Sequence, residues 1–335
     1  MDKREIIAKL NERNSRFAFP EQAEMMANLL KTVSSDIYSE SHRFIFELIQ
    51  NADDAAEGST NEVNFDFLPG ALIVSHNGKA FDEKDITSLT SAGTSTKKLD
   101  SSKTGYKGIG FKSVFGRSQR VTVISGGFQF RFDKSAHQTI LPWQIIPIWT
   151  ETNQLSTEIQ NSLKANYNVR TIIELSNTET LYRDLIEILS GSEVLLFLRK
   201  ISQVSVSQAG KVDFSIKKQL KAKDDVGEEV VLYKNETVVS SWLLRVFNNI
   251  TVPDSTKLEL KNDESIPDKL KDIQVAEIAF AARLEKGAIV SLNPNQTLVF
   301  TYLPTKVREF RFPFLVNAAF TTNAGREALH DDSPW

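Results

Sequence analysis

Glu47, Asn51 and Asp54 stand at intervals of four and three in the stretch Phe44-Ile-Phe-Glu47-Leu-Ile-Gln-Asn51-Ala-Asp-Asp54-Ala55. At helical pitch they share one face, while Ile45, Leu48, Ile49, Ala52 and Ala56 fall on the other. One side packs. The other directs a carboxylate, an amide and a second carboxylate toward a common point. Downstream, Gly105-Tyr-Lys107-Gly108-Ile109-Gly110-Phe111-Lys112-Ser113 places three glycines ahead of an apolar run. Nucleotide hydrolysis needs groups that hold a metal on the phosphates, backbone amides that approach closely, and a group that orients water. Asn51 offers an oxygen suited to Mg²⁺, which takes few protein ligands. Glu47, one turn away, can align or deprotonate water. Glycines 105, 108 and 110 let N–H groups line a phosphate and open a helix whose N-terminus favours anions. Alone, a Glu-Asn-Asp face is usually a solvated helix surface and a glycine triplet often marks only a turn. Their order, with a polar segment between them, carries the reading toward ATP.

The elements that must position these groups follow from pattern. The first 57 residues read as helical: Phe19-Pro20-Glu21-Gln22 opens a helix through Met25, Met26, Leu29 and Leu30, with Pro20 at a tolerated start. Ser41 is placed to cap the motif helix and Gly58 to end it. Strands are expected at 63–67 and 71–74 around the Pro69-Gly70 turn, leading into His76-Asn77-Gly78-Lys79-Ala80. From 82 to 103 the composition turns to Ser, Thr, Lys and Asp, which predicts a mobile loop. A helix at 111–115 and strands at 120–124, 128–132 and 171–175 follow, the first two strands joined by a Gly126-Gly127 hairpin. Helices segregated to one side of a mostly antiparallel sheet make an α+β sandwich. A second region then begins, with a helix or helix pair over 181–199 and a strand at 201–206. Short strands and charged linkers are expected from there to about 278, with 217–229 the most polar run, and β-like apolar segments at 298–306 and 310–317.

Composition excludes more than it selects. With 335 residues, 41% of them hydrophobic, the chain can bury one large core or two smaller ones. A formal net charge of -3 gives no whole-chain attraction for nucleic acid or anionic membrane. The absence of cysteine removes disulfides, thiolate metal sites and a cysteine nucleophile, and fits a reducing compartment. Met1-Asp-Lys-Arg-Glu lacks the apolar core of a signal peptide, and no run nears the roughly 18 apolar residues of a membrane span. A cytoplasmic protein is expected. The four histidines show no metal-ligand spacing, and no Ser-His-Asp arrangement is recognisable. The ending, Asp-Asp-Ser-Pro-Trp335, suggests a piece of a longer protein.

Glu47-Leu-Ile-Gln-Asn51-Ala-Asp-Asp54-Ala resembles the first nucleotide-binding box of the GHKL ATPases, the superfamily of DNA gyrase B, the 90-kilodalton heat-shock chaperones, histidine kinases and MutL. Gly105-Tyr-Lys-Gly108-Ile-Gly110-Phe-Lys-Ser-Val-Phe115, followed by Val121-Thr-Val-Ile-Ser125, is similar to the chaperone version. The wording resembles, more narrowly, the sacsin-like branch and its large bacterial relatives. The likeness covers residues 38–175 best. It implies a Bergerat-type ATP-binding domain over 1–178, a lid at about 82–104, and a transducer or middle-like α/β domain over 179–335. It also implies that Glu47 is the water-activating base, Asn51 the Mg²⁺ ligand and Asp54 a supporting acid. Thr94, in the lid, would contact the bound nucleotide. Gly105, Lys107, Gly108, Ile109, Gly110 and Phe111 would form lid hinge and phosphate loop. Thr171 would help hold adenine through water, or be an ordinary strand residue.

One box departs from the family pattern. Where the family has Asp-x-Gly-x-Gly, with its aspartate on the adenine amine, this chain has His76-Asn77-Gly78-Lys79-Ala80. A neutral histidine nitrogen or the Asn77 carbonyl can accept that bond without the fixed charge, which predicts weaker discrimination against other nucleotides. Asn323-Ala-Gly-Arg326-Glu327 resembles a chaperone motif whose arginine reaches the γ-phosphate, and Lys306 in Leu303-Pro-Thr-Lys306 resembles the phosphate-sensing lysine of gyrase-type transducers. Only one need serve, and Arg326 is favoured.

The expectation is Mg²⁺-dependent ATP binding and slow hydrolysis that close the lid and rearrange the domains, within a larger bacterial protein of chaperone-like or defence type. A protein client or effector and a nucleotide-dependent homodimer are the expected partners. The alternatives are a nucleotide-gated dimerisation or binding module with little hydrolysis, and a DNA-directed ATPase of the MutL or MORC type.

Overall fold

The computed structural model describes residues 2–35, 41–58, 61–91, 110–137, 140–164, 166–263, 271–307 and 310–320. The fold is α+β, and the chain divides into two compact units, residues 1–190 with 203–215, and residues 191–202 with 216–335.

The first unit begins with three helices, α1 (Lys3–Ser15), α2 (Pro20–Ser35) and α3 (Ser41–Ala55). Pro20 opens α2 as its fixed φ and missing N–H allow. In α3 the apolar stripe is buried as its spacing requires: Phe44, Ile45, Leu48, Ile49 and Ala52 are all inside. The helix ends at Ala55, three residues before Gly58. β1 (Asn61–Leu68) and β2 (Ala71–His76) form a hairpin, and the sheet continues through β3 (Arg120–Ser125), β4 (Phe128–Asp133), β5 (Ile148–Trp149) and β6 (Val169–Glu174) in the spatial order β1-β2-β6-β3-β4-β5. β7 (Ile201–Gln208) adds to the β1 edge, where Ala209 N donates to Phe67 O at 3.0 Å. At the β3–β4 turn, Gly126 and Gly127 take φ of +57° and +79°, the left-handed pair that a two-residue hairpin needs.

Cross-strand register sorts the two faces of this sheet. Val74 lies opposite Thr171, Thr171 opposite Val123, and Val123 opposite Phe130; the next row runs His76, Val169, Ser125 and Phe128. Helices cover this face. Tyr182 of α6 (Glu179–Ser190) meets Phe67 edge-on at 5.3 Å, and Phe115 of the 3₁₀ helix Gly110–Gly116 meets Phe132 at 5.2 Å. The expectation that all helices lie on one side does not hold fully. On the opposite face, Ile159 of α5 (Thr157–Ser162) packs on Leu68, Ala71, Ile73 and Ile172.

Part of the expected mobile loop is ordered. Residues 83–89 form α4 (Glu83–Leu89), opened by a reciprocal cap: Asp82 Oδ1 accepts from Lys84 N at 2.9 Å and Asp85 N at 3.0 Å, and Asp85 Oδ2 accepts from Asp82 N at 3.1 Å. Ile86 and Thr90 are fully buried, so one apolar side chain and a good cap suffice where composition suggested none would.

In the second unit, β8 (Lys211–Lys223) from Ile216 onward, β9 (Glu228–Lys234), β10 (Thr237–Thr251) and β11 (Val275–Glu285) pair antiparallel in sequence order. α7 (Asp254–Asn262) separates the last two in sequence, and β12 (Ala288–Val290) pairs with β11. β13 (Val299–Thr301), β14 (Leu303–Pro304) and β15 (Leu315–Ala318) complete the sheet, with β13 parallel to β15. The strands are longer than expected, and most of the polar run 217–229 is strand. Lys221 and Lys223 stay in solvent while bonding across the pair, to Glu229 at 2.7 Å and Glu228 at 2.6 Å, and the half-buried Lys218 donates to Leu198 O at 2.6 Å. Trp242, Leu232 and Phe300 form the interior of this unit.

Asp82→Ala removes the α4 cap and is expected to cost about 1 kcal/mol in urea denaturation. A loss below about 0.3 kcal/mol would show that α4 does not depend on its cap.

Candidate functional site

Helix α3 is the spine of the candidate site. Its buried stripe fixes its rotation, so Glu47, Asn51 and Asp54 share the other face, each half-buried. Gln50 and Asp53, which the spacing argument did not single out, are buried as well.

Two close approaches bring other segments to this helix. The first is at its middle. A Cβ built on Gly110 would lie 3.0 Å from Glu47 Cδ and overlap its carboxylate oxygen. Gly110 does not occupy the left-handed region, so the requirement is for space. Of the glycine segment, Gly110 and Phe111 are described: Gly110 opens the 3₁₀ helix against Glu47, and Phe111 packs edge-on to Phe115 at 5.9 Å. The second approach is at the C-terminal end of α3, where Lys79 N donates to Ala55 O at 2.7 Å. A Cβ on Gly78 would sit 2.7 Å from Ala55 O and 2.9 Å from His76 Nδ1. The box 76–79 is thereby seated on the end of the helix that carries Asn51 and Asp54.

His76 is buried at the end of β2, and its Nδ1 accepts from Gly78 N at 3.2 Å. That ring nitrogen serves the turn. Asn77 is exposed, and its backbone carbonyl accepts from Asn168 Nδ2 at 3.1 Å, as does that of Gly78. Thr171 is buried on β6, one row along the same sheet face from His76. The structure therefore brings Glu47 to Gly110 and the 76–79 turn to α3, and places Thr171 beside His76. Thr94, Gly105, Lys107, Gly108, Ile109 and Arg326 lie outside the described residues. Lys306 is exposed and follows β14 in the second unit.

Sequence reasoning assigned no role to Lys112. This side chain is 1% exposed, its Nζ donates to Leu89 O at 2.6 Å and Gln144 O at 2.9 Å, and it lies 5.5 Å from the centroids of the Phe115 and Phe132 rings. Burial pushes its ammonium down to about 7. The signal available in sequence was a lysine inside the apolar run Gly-Phe-Lys-Ser-Val-Phe. Beside it in the chain, the buried Ser113 hydroxyl has no hydrogen-bond partner among the described residues, nor has the Gln144 side-chain oxygen.

On the opposite sheet face, a cleft of about 530 Å³ is lined by Arg120, Thr122, Arg131 and Glu174. Its charges are largely internally matched, through Arg120 with Asp133 and Glu174 and Arg131 with Asp133. None of the residues singled out above lines it.

The chain is similar to Protein NO VEIN of Arabidopsis thaliana, 29% identical over 341 aligned positions that take in 94% of this chain and 11% of that protein. It is also similar to human sacsin, 30% identical over 122 positions, or 31% of this chain and 3% of sacsin. It thus spans a small fraction of the length of either relative. No family model matches it. No helix among the described residues is long and apolar enough to cross a membrane.

A lysine near 10.5 when unfolded and about 7 when folded binds more protons in the unfolded chain across that interval. Stability therefore rises with pH from about 7 upward. Urea denaturation at neutral and at alkaline pH is expected to show this gain in the native sequence and a smaller one in Lys112→Met. Equal pH dependence in both would contradict the burial argument.

Proposed function

We propose that the first unit binds Mg²⁺–ATP and hydrolyses it slowly, as a Bergerat-type domain of the GHKL kind. The observation that carries this reading is the seating of Gly110 against Glu47. Two motifs separated by more than sixty residues in sequence meet so closely that a Cβ on Gly110 would push the Glu47 carboxylate aside. A water-orienting carboxylate beside a phosphate-lining backbone accounts for that proximity.

The donor set fits the ligand. Asn51 supplies a neutral oxygen, of the type hard Mg²⁺ accepts, on the helix face that carries Glu47. When bound, the metal supplies charge neutralisation at the phosphates. Glu47 holds and deprotonates the attacking water, Asp54 supports the polar face, and Gly110 leaves backbone N–H accessible. Adenine recognition falls to the His76–Thr171 end of the sheet. With His76 Nδ1 committed to its own turn, no fixed carboxylate charge selects the amine, and GTP competes better than in a site with aspartate.

The similarity to NO VEIN and sacsin supports placing the domain within a much longer protein. There, turnover would drive rearrangement of the following unit, for a client or effector, in the cytoplasm. Either Arg326 or Lys306 would then sense the γ-phosphate. Retention of Glu47 argues against a second reading, a nucleotide-gated module with little hydrolysis, which the altered adenine box leaves open.

ATP binding and turnover in three proteins test the proposal. Glu47→Ala is expected to retain ATP binding and lose at least about 100-fold in turnover, and Asn51→Ala to lose Mg²⁺-dependent binding. Turnover by Glu47→Ala at the native rate would refute the catalytic role; absence of binding with Mg²⁺ in the native chain would refute the proposal altogether.

A further inference from the structure

Two pairs of consecutive carbonyls face two side-chain donors in the first unit. Leu89 and Thr90 end α4; Gln144 and Ile145 lie in the 3₁₀ turn Trp143–Ile145. Lys112 Nζ takes the first member of each pair, Leu89 O at 2.6 Å and Gln144 O at 2.9 Å. Asn14 Nδ2, in the last turn of α1, takes the second of each, Thr90 O at 2.8 Å and Ile145 O at 2.6 Å. Both N–H bonds of the carboxamide are used. The last carbonyls of a helix have no intrahelical donor, so these acceptors need outside partners. Here the partners also couple segments far apart in sequence.

The bracket is anchored at each end. Asn11 Nδ2 donates to Pro147 O at 2.8 Å, and Lys3 bonds Gly126 O, which holds α1 on the edge of the sheet. Lys112 sits two residues after Gly110, buried against Phe115 and Phe132. A shift of the 3₁₀ helix as a unit away from Glu47 pulls the Lys112 amine off two carbonyls in an apolar surround. Water cannot replace them cheaply there.

We propose that Asn14 and Lys112 are positioning residues of the site: they fasten the end of α4 and the 143–146 turn into one piece and, through Lys112, fix Gly110 against Glu47. The inference rests on reading that face as the nucleotide site, and it makes α1 part of the catalytic framework although it contributes no residue to the Glu47 face.

The test uses the full chain with Asn14→Asp, which keeps the shape and cannot donate, and Lys112→Met as second variant. Asn14 is half-buried, and Asn14→Asp leaves the side-chain volume unchanged. In nucleotide-free protein, hydrogen exchange is expected to rise at least about tenfold at 86–91 and 143–147 in Asn14→Asp, and also at 111–116 in Lys112→Met, with the β3–β4 hairpin unchanged. Under Mg²⁺–ATP, kcat is expected to fall about tenfold in Asn14→Asp while KM stays within about threefold, the signature of an interaction that matters in the transition state. Unchanged exchange in those segments, acceleration spread over the whole unit, or local acceleration with native kcat would each overturn the proposal. If the native chain turns over no ATP, the functional reading fails and the positioning role at a catalytic site falls with it, while the exchange pattern still decides whether the bracket exists.

Discussion

The first unit is organised around one close approach: the Gly110 backbone lies so near the Glu47 carboxylate that a Cβ there would displace the end of that side chain. Everything that fixes α3 in rotation or the 3₁₀ helix in depth serves that contact. The buried stripe of α3 sets which way Glu47 points. The 3₁₀ helix is held by aromatic contacts of Phe111 and Phe115 with Phe132, and by a lysine whose charge has been taken inside. Burying an ammonium is costly unless it is well bonded. Lys112 meets two carbonyls and two ring faces there, so its position is tightly specified.

The second close approach, Gly78 on Ala55, works the same way. Neither glycine has a positive φ; a Cβ at Gly78 would meet the fixed backbone carbonyl of Ala55, and one at Gly110 the movable carboxylate end of Glu47. These two glycines mark where chain segments meet α3, and the segments are those proposed to face phosphate and base. The hairpin glycines 126 and 127 answer a different need, the backbone twist of a two-residue turn.

Much of the first unit could be read from sequence because its signals are local. The 3.6-residue stripe of α3, Pro20 opening α2, and the Gly126-Gly127 turn each depend on neighbours a few residues away. α4 was missed because its stability comes from a cap and one buried isoleucine, a signal too small to stand out in a polar run. The length of β8 was missed because a solvated strand can carry lysines when its partner carries glutamates in register, and register is a tertiary fact. At the site, the residue types on α3 were legible, but Asn14 was not. Nothing in a charged amphipathic helix marks one asparagine as the donor to two distant turns. Lys112 was visible as an anomaly, a charge in an apolar run, whose meaning required its carbonyl partners.

The central claim, that the Glu47–Gly110 contact organises a hydrolytic site, is tested most directly by a double-mutant cycle on ATP turnover with Gly110→Ala and Glu47→Gln. Because the added methyl displaces the carboxylate, each single change is expected to reduce kcat by more than about tenfold, and the double variant to lose no more than the worse single one. Gly110→Ala turning over at the native rate, or the two losses multiplying as independent effects, would contradict it.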